Sequence, residues 1–422
     1  MNTNMTLKCH TCEGDVDCRV GYSNRRLQPL SFACPHCSTV LGITLDISDA
    51  PESSFTFNSC DISPEQASPF NMTNPFIDLH LDFPVRFGNY VMGMTPFMMA
   101  LHQVSAEHEI DAHEIMSVHG TRLRKLNYIA ENSAQVKTII GLYEGKNKQL
   151  FLKRVSEFLG CNLNNSLKPE DINAALYFFI SWVFEPFIHQ TEVSEIVEGF
   201  NNISPSLPRE SMNELLAQLY DTAFLKNLQS DLLKLYPRVY EAEVALRPAL
   251  FLDLIPSYEK AKSPARVSSK DFESYKDLYK DMIEVFSRQL VVVAALNNLI
   301  KRGGCNKFKE ISGAALSSLD KFTGKNFSDR FKYLDDCWYI FDQDAIDSGV
   351  RNSIAHFNFK YEPVTQLITC YPDGGGFNEK SSVDMYFLDF MRMILNLFRE
   401  IHNIHHIIKC LFYYEFLVRS KQ

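Results

Sequence analysis

The sequence predicts a mainly α-helical protein that opens with a small cysteine-rich β module and carries a β-hairpin inserted in a C-terminal helical bundle. Three observations carry this. Apolar residues recur at helical spacing through most of residues 86–416. Five of the eleven cysteines fall within the first 48 residues. Residues 357–371, FNFKYEPVTQLITCY, alternate around a Pro-bearing turn, which is strand spacing.

The chain has 422 residues, 45% hydrophobic and 22% charged, which is a globular composition with enough length for two or three domains. A net charge of -9 excludes a generally basic coat, so any nucleic-acid site must be local. The most apolar runs, residues 174–184 and 290–296, fall short of the roughly 20 residues a membrane span needs. The opening MNTNMTLKCH lacks the basic-then-apolar pattern of a secretory leader. With an odd cysteine count, this leads us to expect a cytoplasmic protein without membrane contact, whose cysteines bind metal rather than form disulfides. No P-loop, GxGxxG or GxSxG is present, so the sequence gives no support to ATP hydrolysis, Rossmann cofactors or serine hydrolase chemistry.

Residues 1–48 hold Cys9-His-Thr-Cys12 and Cys34-Pro-His-Cys37, with 21 residues between the pairs. Each CxxC offers two thiolates from one tight turn, and the spacer allows strands to bring the turns together. That is the pattern of a four-cysteine zinc ribbon. Cys9, Cys12, Cys34 and Cys37 are the expected ligands of a structural zinc; iron in a rubredoxin-like site uses the same ligands. With all four positions filled by sulfur, the metal has no open site for catalysis. Cys18 reads as a spare thiol, and His10 and His36 as solvent-facing residues of the knuckles.

Residues 49–85 read as an acidic linker rich in Pro and Ser, because residues 49–109 contain eight acids and one base. Residues 86–262 read as a helical middle domain, with helices at 94–116, 121–143, 147–160, 169–186, 209–234 and 237–250. Residues 263–422 form the last domain. There Ser268 and Asp271 have capping-box spacing before a long helix that ends at Gly303 and Gly304. Helices at 309–333 and 343–356, the hairpin, and a final helix at 382–416 follow.

The helix at 343–356 ends in Arg351-Asn352-Ser353-Ile354-Ala355-His356. Ile346, Val350, Ile354 and Phe357 make one apolar stripe, with Asn352 and His356 on the opposite side at i and i+4. Arg351 is turned about 140° from His356 on a straight helix. A joint site therefore needs the helix to end there, or a second chain.

RNSIAH followed by FNFKYEPVTQLITCY resembles the motif region of the HEPN superfamily, the higher-eukaryote and prokaryote nucleotide-binding domains. The resemblance covers residues 263–422 and is nearest to HEPN domains of abortive-infection and anti-phage proteins. It implies a HEPN-like helical bundle acting as a metal-independent endoribonuclease in a homodimer, with Arg351, Asn352 and His356 as catalytic residues. The implied products are a 2′,3′-cyclic phosphate and a 5′-OH, and the implied role is bacterial anti-phage defence or a toxin, with a protein or phage component as trigger. The alternative is a non-catalytic zinc-ribbon and HEPN binding or dimerisation module acting with a partner protein.

Other polar groups receive plainer readings. His402, His405 and His406 have ligand-like spacing but read as core or dimer-face residues. His108, His113 and His119 alternate with Glu107, Glu109 and Glu114 and read as a solvated acidic face. The basic stretches at 119–125 and 301–309 read as exposed surface.

Overall fold

The computed structural model describes residues 1–66, 70, 73–109, 111–163, 166–372 and 381–421. The fold is mainly α, with 55% of residues helical and 15% in strands. The strands of the N-terminal part are β1 (Asn2–Cys9), β2 (Asp15–Gly21), β3 (Leu27–Ala33), β4 (Val40–Asp46), β5 (Ser54–Asn58), β6 (Cys60–Ile62), β7 (Phe76–Leu79) and β8 (Val85–Arg86). A helical run follows: α1 (Pro96–Glu107), α2 (Ala112–Glu131), α3 (Ser133–Glu144), α4 (Lys148–Leu159), α5 (Pro169–Phe184), α6 (Gln190–Ile203), α7 (Arg209–Leu219), α8 (Phe224–Glu241), α9 (Glu243–Phe251) and α10 (Tyr258–Ala261). Then come β9 (Ala265–Arg266), α11 (Lys276–Arg302), β10 (Glu310–Ile311), β11 (Ala314–Ala315), α12 (Leu319–Thr323), α13 (Phe327–Arg330) and α14 (Ser348–Ala355). The chain closes with β12 (Phe359–Glu362), β13 (Leu367–Cys370), β14 (Val383–Tyr386) and α15 (Phe387–Tyr414).

Two compact units result, each assembled from three stretches of chain. The first comprises Met1–Ala130, Glu241–Asp277 and Gly349–Leu395; the second comprises Glu131–Tyr240, Leu278–Ser348 and Asn396–Gln422. These boundaries differ from the linear division at residues 48, 85 and 262. The reason is long-range pairing, which periodicity along the chain does not report.

In the first unit, β6-β1-β2-β7 form one sheet and β3-β4-β5 another. Alternating residues of both supply a single apolar cluster that includes Leu7, Val16, Val20, Phe32, Leu41 and Ile43. The expected linker therefore contributes strands to both sheets: β5 extends β4, β6 pairs with β1, and β7 runs parallel to β2. Its acids are not all solvated. The β2–β7 register sets Arg19 beside Asp78, and Arg19 Nε donates to Asp78 Oδ1 at 2.9 Å with both side chains buried. Arg19 also donates to the carbonyls of Val91 (3.1 Å) and Met94 (2.6 Å), tying down the segment before α1.

The three stretches of this unit are stitched by polar groups. Arg247 on α9 is fully buried and binds Glu243 Oε2 (2.7 Å), Asp82 Oδ1 (2.8 Å) and Asn127 of α2. Strand β8 pairs with β9. Gln366, in the turn between β12 and β13, accepts from Val267 N at 2.8 Å and donates to Val267 O at 2.9 Å, so its amide replaces a strand partner. Ser268 is buried, and its hydroxyl accepts from His80 N at 3.1 Å. It does not cap the long helix, which begins at Lys276 after a 3-10 turn at Phe272–Ser274.

The helix expectations hold closely for α4 and α5. The periods at 94–116, 121–143 and 209–234 each break in two, at His108, at Asn132 and at 220–223, where Ala223 takes a φ of 61°. Helix α6 went unread. Residues 309–333 fold as a two-stranded hairpin and short helical turns instead of one helix. The expected hairpin at 357–371 is present as β12 and β13, and β14 adds a third strand. Among the described residues one helix, α11, is long and apolar enough to cross a membrane, and 78% of its most apolar window is buried in the protein.

The second unit has an aromatic core in which Phe184, Phe187, Tyr236, Tyr240 and Phe398 meet mostly edge to face. Beside it lies a chain of imidazoles. The Tyr236 hydroxyl is 2.7 Å from His402 Nδ1 and 3.0 Å from His405 Nδ1. His402 Nε2 and His406 Nε2 are 3.2 Å apart, and Ser181 Oγ is 3.3 Å from His406 Nε2. Burial lowers all three pKa values, His402 to about 3 and the other two well below the ordinary 6.5, so these histidines are neutral core residues. Glu400 behaves oppositely: burial raises its carboxyl to about 7 despite hydrogen bonds from Tyr339 (2.8 Å) and Asp342 N (3.1 Å).

Two expectations follow. Arg247→Met leaves Asp82 buried without its cation and Glu243 with Arg25 alone, and urea unfolding should show a loss of about 3–5 kcal/mol. An unchanged midpoint would refute the stitching role. The histidine contribution is complete above about pH 6.5 and is lost as pH falls, because the unfolded chain takes protons that the folded core refuses. The Glu400 contribution is instead lost as pH rises from about 4.5 to about 7. His405→Leu isolates one histidine: between pH 6 and 4 the wild type should lose about 1.4 kcal/mol more per pH unit than the variant.

Candidate metal centre and helix-end cluster

The two CxxC turns sit at the tips of the β1–β2 and β3–β4 hairpins and repeat one backbone pattern. Glu13 N donates to Cys9 O at 2.9 Å, and Ser38 N to Cys34 O at 2.8 Å. Cys9 N donates to Gly14 O at 3.0 Å, and Cys34 N to Thr39 O at 2.8 Å. Glu13 and Ser38 take φ values of 59° and 62°, the left-handed turn that folds each knuckle back on its strand.

This brings all four thiols together, with ligand atoms within 4.8 Å of one another. Cys9 Sγ is 3.8 Å from Cys37 Sγ, and Cys12 Sγ is 3.8 Å from Cys34 Sγ. A tetrahedron of about 2.3 Å metal–sulfur bonds has an edge of about 3.8 Å, so the spacing suits a four-thiolate metal site. Hydrogen bonding with the Thr39 side chain and backbone pulls Cys37 down to about 6, which makes it the readiest thiolate; burial pushes Cys34 up to about 12. His10 and His36 point elsewhere. His10 Nε2 is 2.8 Å from Asp61 Oδ2, and His36 Nε2 is 3.1 Å from Asp15 O. Cys18 is buried in the apolar cluster, where burial pushes its thiol well up.

The second cluster lies on α14. Val350 and Ile354 are buried as the stripe requires, but Phe357 is 79% exposed. The cause is the helix end. Phe357 takes a φ of 57°, Phe357 N donates to Ile354 O at 3.3 Å and Asn358 N to Ser353 O at 2.8 Å. This is a Schellman cap with Phe at the left-handed position that Gly normally fills. His356, at the last cap residue, is exposed, while Arg351 and Asn352 are half-buried. Arg351 Nη1 donates to Asn352 Oδ1 at 3.2 Å, and His356 N donates to Asn352 O at 3.0 Å. Arg351 and Asn352 thus form one side-chain pair, and His356 joins them through the backbone.

Sequence reasoning missed a third group. His119 is 2% exposed rather than on a solvated face, and burial lowers its pKa to about 4. Its signal was present in the apolar period of α2, since Leu123 and Leu126 are buried on the same face. His80 and Asp82, inside the expected linker, are also buried. Several basic residues are committed to ion pairs: Arg122 with Asp253 at 2.8 Å, and Arg302 with Asp335. Comparison with protein-family models, with curated proteins and with solved structures gave no significant match.

Purified protein should carry about one metal ion per chain by elemental analysis. Cys37→Ser should lose the metal and lower the melting temperature, whereas Cys18→Ala should keep the metal. Equal metal content in both variants would rule out the four-thiolate assignment.

Proposed function

We propose that the chain is a metal-independent endoribonuclease, acting as a homodimer in bacterial anti-phage defence or as a toxin, with a structural zinc in its N-terminal ribbon. The observation that carries this reading is the α14 helix end, where an exposed histidine follows an Arg–Asn side-chain pair by one turn. It supports the RNA-cleaving role that the HEPN resemblance implies for Arg351, Asn352 and His356.

The chemistry requires only protein groups. The 2′-OH attacks the adjacent phosphorus, the P–O5′ bond breaks, and a 2′,3′-cyclic phosphate and a 5′-OH result. An imidazole titrates nearer neutrality than any other side chain, so His356 moves a proton from the 2′-OH or to the leaving oxygen. The planar guanidinium of Arg351 neutralises the crowded phosphorane through paired N–H donors. Asn352 holds that guanidinium. A second copy of the chain supplies the opposing helix end, which removes the angular mismatch between Arg351 and His356. Phe357, exposed beside His356, offers a ring on which a base stacks. The zinc folds the ribbon and takes no part in bond breaking.

The same exposed Phe357 favours a second reading, in which the helix end is only a dimer or partner face and the protein is a non-catalytic binding module. Total RNA including tRNA, incubated with the purified protein in EDTA, separates the two. The ribonuclease reading expects cleavage with 2′,3′-cyclic phosphate ends, and a loss of about 100-fold or more in His356→Ala. Cleavage equal in both proteins, or formation of a tight partner complex without cleavage, would reject it.

A further inference from the structure

The first unit holds a cavity of about 480 Å³ between the N-terminal sheets and the start of the helical run. Its wall includes His80, Asp82, Phe83, Phe97, Met98 and His119. This is ample for a small organic ligand. The imidazole of His119 is the unusual feature. It is 98% buried, and among the described residues no group hydrogen-bonds either ring nitrogen. An imidazole needed only for packing would be better replaced by Leu, since two unpaired polar atoms weaken a fold.

The surroundings narrow what these nitrogens would meet. Phe83 lies at 6.0 Å from Phe97 and 6.3 Å from His119, ring centroid to centroid, so the wall is aromatic. No Lys or Arg lines the cavity. The Asp82 carboxylate is neutralised by Arg247 at 2.8 Å, and its backbone N–H is spent on His80 Nδ1 at 3.0 Å. Thr95 Oγ1 accepts from Met98 N at 3.2 Å, which leaves its hydroxyl proton to donate. The site thus offers stacking surface, one nitrogen of a neutral imidazole, a hydroxyl, and no Lys or Arg side chain to pair with an anion.

We propose that this cavity binds an uncharged nucleobase-type heterocycle, as the free nucleoside, with one ring nitrogen of His119 hydrogen-bonded to its edge and Phe97 offering a face on which it stacks. The base edges of nucleosides pair donors with acceptors, and every base has a face that stacks on an aromatic ring. Met1 brings its amino terminus to the wall, but no Lys or Arg is there to clamp a phosphate. The inference does not rest on the ribonuclease reading, because it uses none of the residues at the end of α14.

The test uses the full-length protein at neutral pH, titrated calorimetrically with adenosine, guanosine, cytidine and uridine, and with their 5′-monophosphates. At least one nucleoside should bind with a Kd on the order of 10–100 μM. It should bind about tenfold or more tightly than its monophosphate. His119→Leu should weaken that binding about tenfold or more while melting about 2–4 °C higher, the mark of a residue kept for a ligand at the expense of stability. Phe97 is 43% exposed, so Phe97→Ala should fold normally and lose affinity about tenfold. No binding of any nucleoside, preference for the monophosphates, or wild-type affinity in both variants would overturn the proposal.

Discussion

The guanidinium of Arg247 is held with no solvent exposure between Asp82 of the N-terminal part, Asn127 of α2 and Glu243 of its own helix. A buried cation is tolerable only if its partners are in place, and those partners come from stretches of chain up to 165 residues apart. The packing of α9 against the β module therefore follows from one charge-balancing requirement. Arg25 adds a second cation to Glu243, and burial, which by itself would raise Asp82, is outweighed by Arg247, so its carboxyl lies below the usual range. The cavity around His119 is built on the same carboxylate.

The thiol cluster obeys a more local constraint. Both knuckles use the same two backbone hydrogen bonds and the same left-handed residue, so the placement of each thiol pair is settled within about six residues. The strands then need only to bring the two tips together. The apolar cluster holds the sheets of this small module, and the four cysteines that could hold a metal ion lie together at the tips of its hairpins. The remaining cysteines are sorted by burial: Cys18 and Cys60 are inside the cluster, where burial raises their thiols and keeps them from ionising.

Environment also separates the histidines. His402, His405 and His406 are neutral members of a hydrogen-bonded core chain anchored on Tyr236. His119 is held neutral by burial, and among the described residues nothing hydrogen-bonds its ring nitrogens. His356 faces solvent from a strained helix end whose left-handed residue is a bulky aromatic. One residue type thus occupies three environments: a hydrogen-bonded core, a buried cavity wall and an exposed helix end. Non-glycine residues in that backbone region persist where surrounding structure enforces them, and such strain concentrates at working sites.

By itself the sequence determined whatever depends on neighbours a few residues away. The CxxC spacing marked the cysteine knuckles, the 3.6-residue period marked α4 and α5, and alternation about a turn marked β12 and β13. The helix end at His356 was also legible, though not its Schellman geometry. The strands at 54–86 were not, because acids and prolines there resemble a solvated strap until Arg19 and Arg247 neutralise Asp78 and Asp82. Nor was the burial of His119, since Glu and His alternating along α2 look exposed until the β module covers one face. Local spacing fixes φ, ψ and short hydrogen bonds. Charge compensation, strand pairing and enclosure of a cavity require groups distant in sequence, so only the tertiary structure decided them.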